Sequence, residues 1–279
     1  MITSIQSVIA DSLCKIKLIN GEYHIRYFEK DFLIIAHRGA SKYSPENTMA
    51  AFKTAHEMRA DMIELDVQLT ADSVPVVFHD EDVNKLTDGK GKVKDFTFAR
   101  LKELDAGSYF SRTYAGEKIP SLQEVLDWLP DDLLLNIEIK PEAVSKDKSD
   151  GIEEKVIELV IDHKLEDRLI LSSFSYLAVK RFKEINSRIK TGLLYEKSQS
   201  TGKTPSVLVE EYDADFFHCS SREMKKDWIT DLQQNSIPFM IYTVNRKWAM
   251  KRWLQRGSFG IFSDKPDLLQ NVFESTVSR

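Results

Sequence analysis

The chain has few cysteines, no excess of positive charge and no long apolar run, and each shortage excludes a class of protein. It has two cysteines in 279 residues. Cys14 and Cys219 are far apart and form no CxxC motif, so we predict two unpaired buried thiols in a reducing compartment. The net charge is −5. No general basic field is therefore available to attract nucleic acid, and any anion site must be local.

The start of the chain and its apolar pattern predict a cytoplasmic protein. The opening segment, MITSIQSVIADSLCKIKL, has no basic region ahead of a long apolar stretch, which predicts that no signal peptide is present. No run of about 18 apolar residues occurs, so the sequence predicts no transmembrane segment. A composition of 42% hydrophobic and 30% charged residues is typical of a soluble globular protein with a full core.

Residues 15–30 have the pattern of a β-hairpin. Apolar and polar residues alternate on both sides of Asn20-Gly21, a dipeptide suited to the positive φ angles of a type I′ turn. Because this segment precedes the first chemical motif, we predict an N-terminal extension over residues 1–31. One larger domain is then expected over residues 32–279.

From residue 32 onward, short apolar runs alternate with helical patterns. Eight runs rich in Ile, Leu, Val and Phe are typical of parallel strands buried on both faces. Eight β-α units in about 250 residues favour an α/β fold of the closed (β/α)8 TIM-barrel type, with an open doubly wound sheet as the alternative. The predicted strands are 33–37, 62–67, 133–139, 169–174, 191–195, 215–219, 239–244 and 260–263.

The connection between the second and third runs is too long for a single crossover. It contains a short apolar run at 75–79 and a helix that begins at Ser121, with Glu124 in capping-box spacing. We therefore predict an insertion over about residues 67–120, in a loop on the catalytic face of the barrel. Further helices are predicted at 46–58, 153–163, 176–185, 225–235, 246–256 and 267–273, and polar loops at 145–151 and 196–206.

Three carboxylates are placed so that they can share a cation. Glu64 and Asp66 are two apart on a strand, so their side chains point to one face, and Glu138 and Lys140 have the same relation. In a barrel this face is the mouth of the lumen, where the acids would raise one another's pKa unless a cation lay between them. All-oxygen ligands select a hard ion, Mg²⁺, Ca²⁺ or Mn²⁺. Each acid taken alone could instead be solvated or ion-paired.

The cations and histidines beside these acids fit an anionic substrate. With a divalent ion bound, the net charge of the site would be one positive charge, counting the three acids, Arg38 and Lys140. A phosphodiester monoanion would neutralise it. Either cation alone could instead form a structural salt bridge. His37 and His79 end strands, and a pKa near neutrality lets one ring donate a proton while the other accepts one. His218 has no charged motif partner, and we predict that it belongs to the core or the rim.

The order of these motifs resembles that of the glycerophosphodiester phosphodiesterase family. The resemblance covers roughly residues 32–273. Tyr242 stands where the family usually has Trp, which keeps an aromatic wall but leaves the shape of the pocket open. The motifs are HRGA at 37–40, PENT at 45–48, ELDV at 64–67, HD at 79–80, EIKP at 138–141, SSF at 172–174, YTVN at 242–245 and SDKP at 263–266.

The resemblance implies a fold, an activity and a set of site residues. It implies a TIM barrel with an insertion after the second strand. It implies hydrolysis of glycerophosphodiesters, such as glycerophosphocholine or glycerophosphoethanolamine, to sn-glycerol 3-phosphate and an alcohol. The residues it implies are Glu64, Asp66 and Glu138 as ligands of Mg²⁺ or Ca²⁺ (Mn²⁺ is a third candidate), His37 and His79 as general acid and base, and Arg38, Lys140, Phe174 and Tyr242 as substrate-binding residues.

One mechanism and two rival functions follow from this assignment. In the mechanism, one histidine deprotonates the glycerol 2-hydroxyl, which attacks phosphorus, while the other protonates the leaving alcohol, and water then opens the cyclic phosphate. The first rival is a lysophospholipase D-like diesterase, which needs an apolar groove. The second is a catalytically silent barrel that binds glycerophosphodiesters. Residues that could line the apolar groove are Phe78, Tyr109, Phe110, Phe174 and Phe217.

Overall fold

Parallel strands dominate the computed structural model of the protein, which describes residues 15–19, 22–26, 28, 30–144 and 151–277. Two strands, β1 (Lys15–Ile19) and β2 (Glu22–Arg26), come first and pair antiparallel. The later strands are β3 (Leu33–Ala36), β4 (Met62–Leu69), β5 (Pro75–Val77), β6 (Leu134–Ile139), β7 (Leu169–Ser173), β8 (Lys190–Leu194), β9 (Phe216–Ser220), β10 (Phe239–Tyr242) and β11 (Gly260–Ser263).

The sheet closes into a barrel between its first and last parallel strands. β3 pairs with β11 on one side and with β4 on the other. The other parallel pairs run from β4 through β6, β7, β8, β9 and β10 to β11, while β5 pairs antiparallel with β4 outside the ring. The prediction of a TIM barrel with an insertion after its second strand and a short N-terminal hairpin is therefore confirmed, and the open doubly wound sheet is excluded.

Helices connect the strands and cover the outside of the barrel. Thr48 caps the first of them, since its side-chain oxygen accepts from the amide of Ala51 at 3.3 Å. Among the described helices, none combines the length and apolar composition needed to span a bilayer. The helices are α1 (Met49–Glu57), α2 (Phe98–Leu101), α3 (Leu122–Trp128), α4 (Ile152–Asp162), α5 (Tyr176–Ile185), α6 (Lys197–Ser200), α7 (Pro205–Glu211), α8 (Lys226–Gln234), α9 (Lys247–Gln255) and α10 (Pro266–Val277).

The region between β8 and β9 differs from the prediction. The sequence was interpreted there as a polar loop over residues 196–206, but α6 and α7 lie in this region. α7 is only seven residues long, begins at Pro205 and buries Leu208 and Val209, so it shows too little apolar periodicity to be recognised from sequence. The other predicted loop, 145–151, falls mostly outside the described residues, as does Cys14. Cys219 is buried and free.

Alternation along the strands separates an outer core from the lumen. On β4, Ile63, Leu65 and Val67 pack outward with helical residues such as Phe52. The lower lumen is filled by apolar side chains, whereas the upper lumen is polar, so the polar site lies on an apolar floor. The floor consists of Leu33, Ile35, Met62, Ile170, Phe216, Met240 and Phe262.

The insertion after β4 has an apolar cluster of its own, which holds the segment carrying His79 beside the barrel mouth. Phe78 is buried in this cluster, and its amide donates to the carbonyl of Asp66 on β4 at 3.0 Å. The other buried members are Val76, Val83, Leu86, Val93, Leu101, Ala106 and Ile119.

Candidate active site

Three carboxylates converge at the C-terminal end of the barrel strands. β4 and β6 pair in a register that places Asp66 opposite Glu138, and Glu64 lies two residues before Asp66 on the same face. One oxygen from each of the three lies within 4.8 Å of the others, and all three side chains are buried. The structure thus brings together the acids that the sequence singled out.

The electrostatics of the three acids favour a shared cation. Burial and the neighbouring Asp66 raise the pKa of Glu64 to about 8, and the same two causes raise the pKa of Glu138. Burial opposes ionisation of Asp66 too, but the charges of Arg38 and Lys140 outweigh it and lower the pKa of Asp66. Two of the acids therefore resist ionisation. The positive charge of a hard divalent ion would favour their ionised forms, so the donor set fits Mg²⁺ or Ca²⁺.

Asp66 is fixed by contacts on several sides. Arg38 Nε lies 3.4 Å from its Oδ2, and Lys140 Nζ lies 3.5 Å from its Oδ1. The side-chain amide of Asn47 donates to Asp66 Oδ2 at 2.9 Å, and Asn47 Oδ1 accepts from the Asp66 backbone at 3.3 Å. Asn47 was predicted only as part of a helix start, although it lies within the PENT motif.

The two site cations form ion pairs with the acids and also border the open space. Arg38 Nη1 donates to Glu46 at 2.7 Å, and the Arg38 backbone amide donates to Glu64 Oε2 at 2.8 Å. Lys140 Nζ donates to Glu138 at 3.0 Å. Burial lowers the pKa of each cation, but the negative charges of these acids have the larger effect and raise the pKa of both. The structural salt bridges that the sequence left as an alternative are therefore present, and they position the cations at the mouth.

His37 is held by a carboxylate from the far end of the chain. Its Nδ1–H donates to Asp264 Oδ1 at 2.7 Å, and Asn245 Nδ2 donates to the other oxygen of Asp264 at 2.6 Å. Burial lowers the pKa of His37, but the hydrogen bond to Asp264 and the charge of Glu64 outweigh it, so the pKa is raised overall. Asp264 lies in the SDKP motif, and sequence reasoning gave it no role.

His79 is held in the same manner by its neighbour. Its Nδ1–H donates to Asp80 Oδ1 at 2.6 Å. Gln68 on β4 fixes the segment, because its side-chain amide donates to the carbonyls of Phe78, His79 and Asp80 at 2.9, 3.2 and 2.8 Å. No sequence signal identified Gln68.

The predicted site residues surround a cavity and an adjoining groove. The cavity has a volume of about 160 Å³, and the rings of Phe174 and Tyr242 meet edge to face in its wall, with centroids 6.1 Å apart. An open groove of about 600 Å³ shares His79 and Phe174 with the cavity and includes Lys140. Predicted residues that line the cavity are His37, Arg38, Glu64, His79, Glu138, Phe174 and Tyr242.

Several known proteins similar to this chain carry the same activity in their names. The family model described as the glycerophosphoryl diester phosphodiesterase family matches residues 37–268. The chain is 42% identical over 241 residues to a glycerophosphodiester phosphodiesterase of Caldanaerobacter subterraneus, covering 86% of this chain and 97% of that one. It is 35% identical over 255 residues to a Bacillus subtilis glycerophosphodiester phosphodiesterase, covering 86% of each.

Solved structures agree with the sequence comparisons. An Oleispira antarctica phosphodiesterase, solved in complex with the product sn-glycerol-3-phosphate, is 29% identical with a TM-score of 0.75 and covers 86% of this chain and 96% of its own. A glycerophosphodiester phosphodiesterase of Agrobacterium tumefaciens is 26% identical with the same TM-score and covers 86% and 99%. The similarity therefore extends over the whole barrel.

Proposed function

Because the chain belongs to the glycerophosphodiester phosphodiesterase family and is a phosphoric diester hydrolase, we propose that it hydrolyses glycerophosphodiesters by metal-assisted histidine catalysis. Glycerophosphocholine and glycerophosphoethanolamine are the proposed substrates, and sn-glycerol 3-phosphate and an alcohol are the products. The observation that carries the proposal is the meeting of three buried carboxylates with two carboxylate-bound imidazoles. The product bound to the Oleispira antarctica enzyme supports the glycerol phosphate half of the substrate.

The metal site is proposed at Glu64, Asp66 and Glu138, whose oxygens suit Mg²⁺ or Ca²⁺, with Mn²⁺ as a third candidate. A divalent ion bound there would supply Lewis acidity for the reaction at phosphorus. Its charge would also let Glu64 and Glu138 ionise together, which burial and Asp66 otherwise oppose.

His37 and His79 are the proposed proton-transfer groups. Asp264 and Asp80 hold the Nδ1 atoms of the two rings, which leaves Nε2 of each ring to exchange protons with substrate. We assign the first acid step to His37, because its raised pKa favours the protonated ring, and the first base step to His79. His79 then deprotonates the glycerol 2-hydroxyl, a cyclic phosphate forms, and water opens it with the roles reversed.

Substrate binding is proposed for the cations and the aromatic wall. Arg38 is held at both its backbone and its guanidinium and can present that guanidinium to phosphate oxygens, while Lys140 contributes a point charge at the groove. Phe174 and Tyr242 would pack on the carbon atoms of the substrate. The alcohol would leave through the open groove, whose size does not restrict it closely.

A lysophospholipid substrate is not favoured, because the aromatic residues do not form one apolar groove. Phe78 is buried in the insertion, and Phe217 is buried between the barrel and its helices. Tyr109 and Phe110 lie on the surface, and Phe174 is the one of the five residues that lines both the cavity and the groove. The groove beside it is mostly charged, with Asp80, Glu81, Asp82, Lys85, Glu142 and Glu196. A catalytically silent barrel is not supported either, since the acids, histidines and cations are all present.

Release of sn-glycerol 3-phosphate from glycerophosphocholine tests the proposal. We expect release to stop after EDTA treatment and to return with Mg²⁺ or Ca²⁺. His37→Ala and His79→Ala should each lower the rate about 10²–10⁴-fold, the usual contribution of general acid–base catalysis. His56→Ala is the matched control, because His56 also pairs with an aspartate, Asp132, at 3.1 Å but outside the site. A near-normal rate for His79→Ala would refute its role.

The proposal includes an organisation of the chain and a location. We propose that residues 1–31 are an N-terminal extension and residues 32–279 a single catalytic domain with an insertion at about 67–120. The family match, residues 37–268, falls within this domain. The substrate is a small molecule, nucleic acid is not an expected partner, and the cytoplasm is the proposed compartment.

A further inference from the structure

His218 is a buried histidine that the proposed mechanism does not use. It lies on β9, level with Leu194 on β8 and Met240 on β10, and its side chain is completely buried. The residue lines the same cavity as His37 and Glu138. Neither of its ring nitrogens has a hydrogen-bond partner in the part of the chain that the structure describes.

The surrounding strands leave a place for the His218 ring. A Cβ atom added to Gly192 on β8 would lie 2.6 Å from Cε1 and 2.8 Å from Nε2 of that ring, so only glycine at this position admits it. The ring also meets Phe262 edge to face, with centroids 5.3 Å apart. Buried polar groups are nearly always paired in native proteins, so two unpaired nitrogens in a ring that lines a cavity point to a hydrogen-bonding ligand.

Asn136 adds a second unpaired atom to the same cavity. It lies two residues before Glu138 on β6 and therefore faces the lumen. Its Nδ2 donates to Ser172 Oγ at 2.9 Å, whereas its buried Oδ1 has no partner among the described residues. The acceptor capacity of this oxygen is therefore unused by the described residues.

The chemistry of these groups matches hydroxyls better than phosphate. Burial lowers the pKa of His218 to about 3, so the ring is neutral near pH 7 and offers one donor and one acceptor. Asn136 adds a neutral acceptor. A phosphate oxygen needs donors or positive charge, which Arg38 and Lys140 provide at the mouth, whereas a hydroxyl both donates and accepts.

We propose that His218 and Asn136 bind the hydroxyl groups of the glycerol moiety and thereby select glycerol phosphodiesters. This inference rests on the proposed function, because that function places phosphate beside Arg38 and the carboxylates. The cavity of about 160 Å³ equals the volume of about five water molecules in the liquid, which suits a three-carbon polyol. The alcohol half, which varies among glycerophosphodiesters, is left to the open groove.

Binding of two phosphate monoesters in the presence of Mg²⁺ tests the subsite. sn-Glycerol 3-phosphate and n-propyl phosphate share three carbons and a phosphate and differ only in hydroxyl groups. We expect the wild type to bind sn-glycerol 3-phosphate at least about tenfold more tightly. His218→Phe keeps an aromatic ring but removes both nitrogens, and it should weaken that binding about 10- to 100-fold, as for a lost buried hydrogen bond, without changing propyl phosphate binding.

Further variants separate recognition from folding. His218→Gln restores a neutral donor and acceptor and should recover part of the preference, and His56→Phe, outside the lumen, should keep all of it. If His218→Phe fails to fold, as judged by thermal unfolding, Asn136→Ala gives the same comparison of ligands. An unchanged affinity ratio in His218→Phe, or an equal loss for both ligands, would overturn the proposal.

Turnover of glycerophosphocholine by the wild type distinguishes failure of the subsite from failure of the function. Suppose that turnover depends on metal but the ratio of the two affinities is the same in the wild type and in His218→Phe. That result would overturn the subsite alone. Absence of turnover with a ratio that depends on His218 would overturn the proposed function and leave a glycerol phosphate binding site.

Discussion

At the scale of single residues, the orientation of the two imidazoles depends on two aspartates with different origins. Asp80 is the neighbour of His79 in the chain, whereas Asp264 is 227 residues from His37. Because a ring bound through Nδ1 leaves Nε2 open, both aspartates would act on proton transfer in the proposed mechanism without touching the reacting atoms.

Asp264→Asn should lower the pKa of His37. Burial lowers that pKa, and the charged hydrogen bond to Asp264 is the main opposing influence, so its loss leaves burial dominant. If His37 is the first acid, the basic limb of the pH profile of kcat/KM should move to lower pH. Measurement from pH 5 to 9 checks this. Asp80→Asn is the control, because it should leave the limb of His37 in place, and an unmoved limb in Asp264→Asn would contradict the assignment.

The residues of the site were predictable where a local pattern marked them. Glu64 and Asp66 stand out because a strand alternates, and two acids at this spacing must share a face. The partner of His37 could not be found in this manner, since no local pattern connects residues 37 and 264. Gln68 and His218 look like ordinary strand residues in the sequence. Their roles depend on contacts with residues that are brought near only when the barrel closes.

At the scale of elements, the connection from β3 to α1 requires glycine at position 39. Gly39 has φ +78°, and a Cβ there would lie 2.7 Å from the backbone carbonyl carbon and the Cβ of Ala51 in α1. This close approach positions the neighbouring Arg38, whose amide donates to Glu64. The glycine of the HRGA motif is therefore required for packing as well as for backbone conformation.

Gly39→Ala should destabilise the protein by about 1–3 kcal/mol beyond the cost of a positive φ, because α1 must move to admit the methyl group. Activity should fall as well, since Arg38 would shift relative to Glu64, to which its backbone amide donates. Gly202→Ala is the matched control, because Gly202 has φ +77° and no atom within 4 Å of its added Cβ. Urea unfolding of both variants gives the comparison, and equal destabilisation would show that crowding at Ala51 is unimportant.

Gln68 joins β4 to the segment that carries His79, and its loss should affect catalysis more than metal binding. Gln68→Leu removes the donor shared by three carbonyls and leaves the carboxylates in place. We expect kcat to fall about 10- to 100-fold, as for a misplaced catalytic group, with little change in metal affinity. Kinetics together with calorimetric titration of Mg²⁺ check this, and equal losses in both would argue that β4 itself is disturbed.

The strands were predictable to within two residues at each end, because buried parallel strands are continuous apolar runs. Helices with a long amphipathic pattern were also found, and α5 agrees at both ends. α7 was missed because seven residues give fewer than two full apolar repeats. Local sequence therefore defines an element well only when the element is long enough to repeat its pattern.

At the scale of the whole molecule, buried acids make stability depend on pH and on metal. A carboxyl whose folded pKa is raised, as for Glu64 at about 8, favours the folded state at low pH. That contribution disappears as pH rises from the unfolded value near 4.5 through about 8, because the unfolded chain gives up the proton first. A bound divalent ion favours the ionised acids and should reverse this loss.

The increase in Tm caused by saturating Mg²⁺ or Ca²⁺ should therefore be larger at pH 8.5 than at pH 6. Scanning calorimetry of metal-free and metal-loaded protein at the two pH values measures it. Glu64→Gln keeps the shape of the side chain but removes its charge, so it should weaken the metal effect and flatten the pH dependence of the metal-free protein. A metal effect of the same size at both pH values would contradict the raised pKa.

The number of strands predicted a barrel, but the distances within the site depend on closure. Net charge is −5, and yet the mouth carries Arg38 and Lys140 beside the acids, so the local field differs from the global one. A sequence gives the sum of charges directly, whereas their separation follows from strand register and from loops of the insertion.

Barrel closure also determines the stage of synthesis or folding at which the enzyme can become active. His37 follows β3, the first strand of the ring, and Asp264 follows β11, the last, and these two strands are hydrogen-bonded neighbours. A nascent or truncated chain that lacks β11 can present His37 but not the carboxylate that orients it. Full activity should therefore require that the two ends of the ring have met.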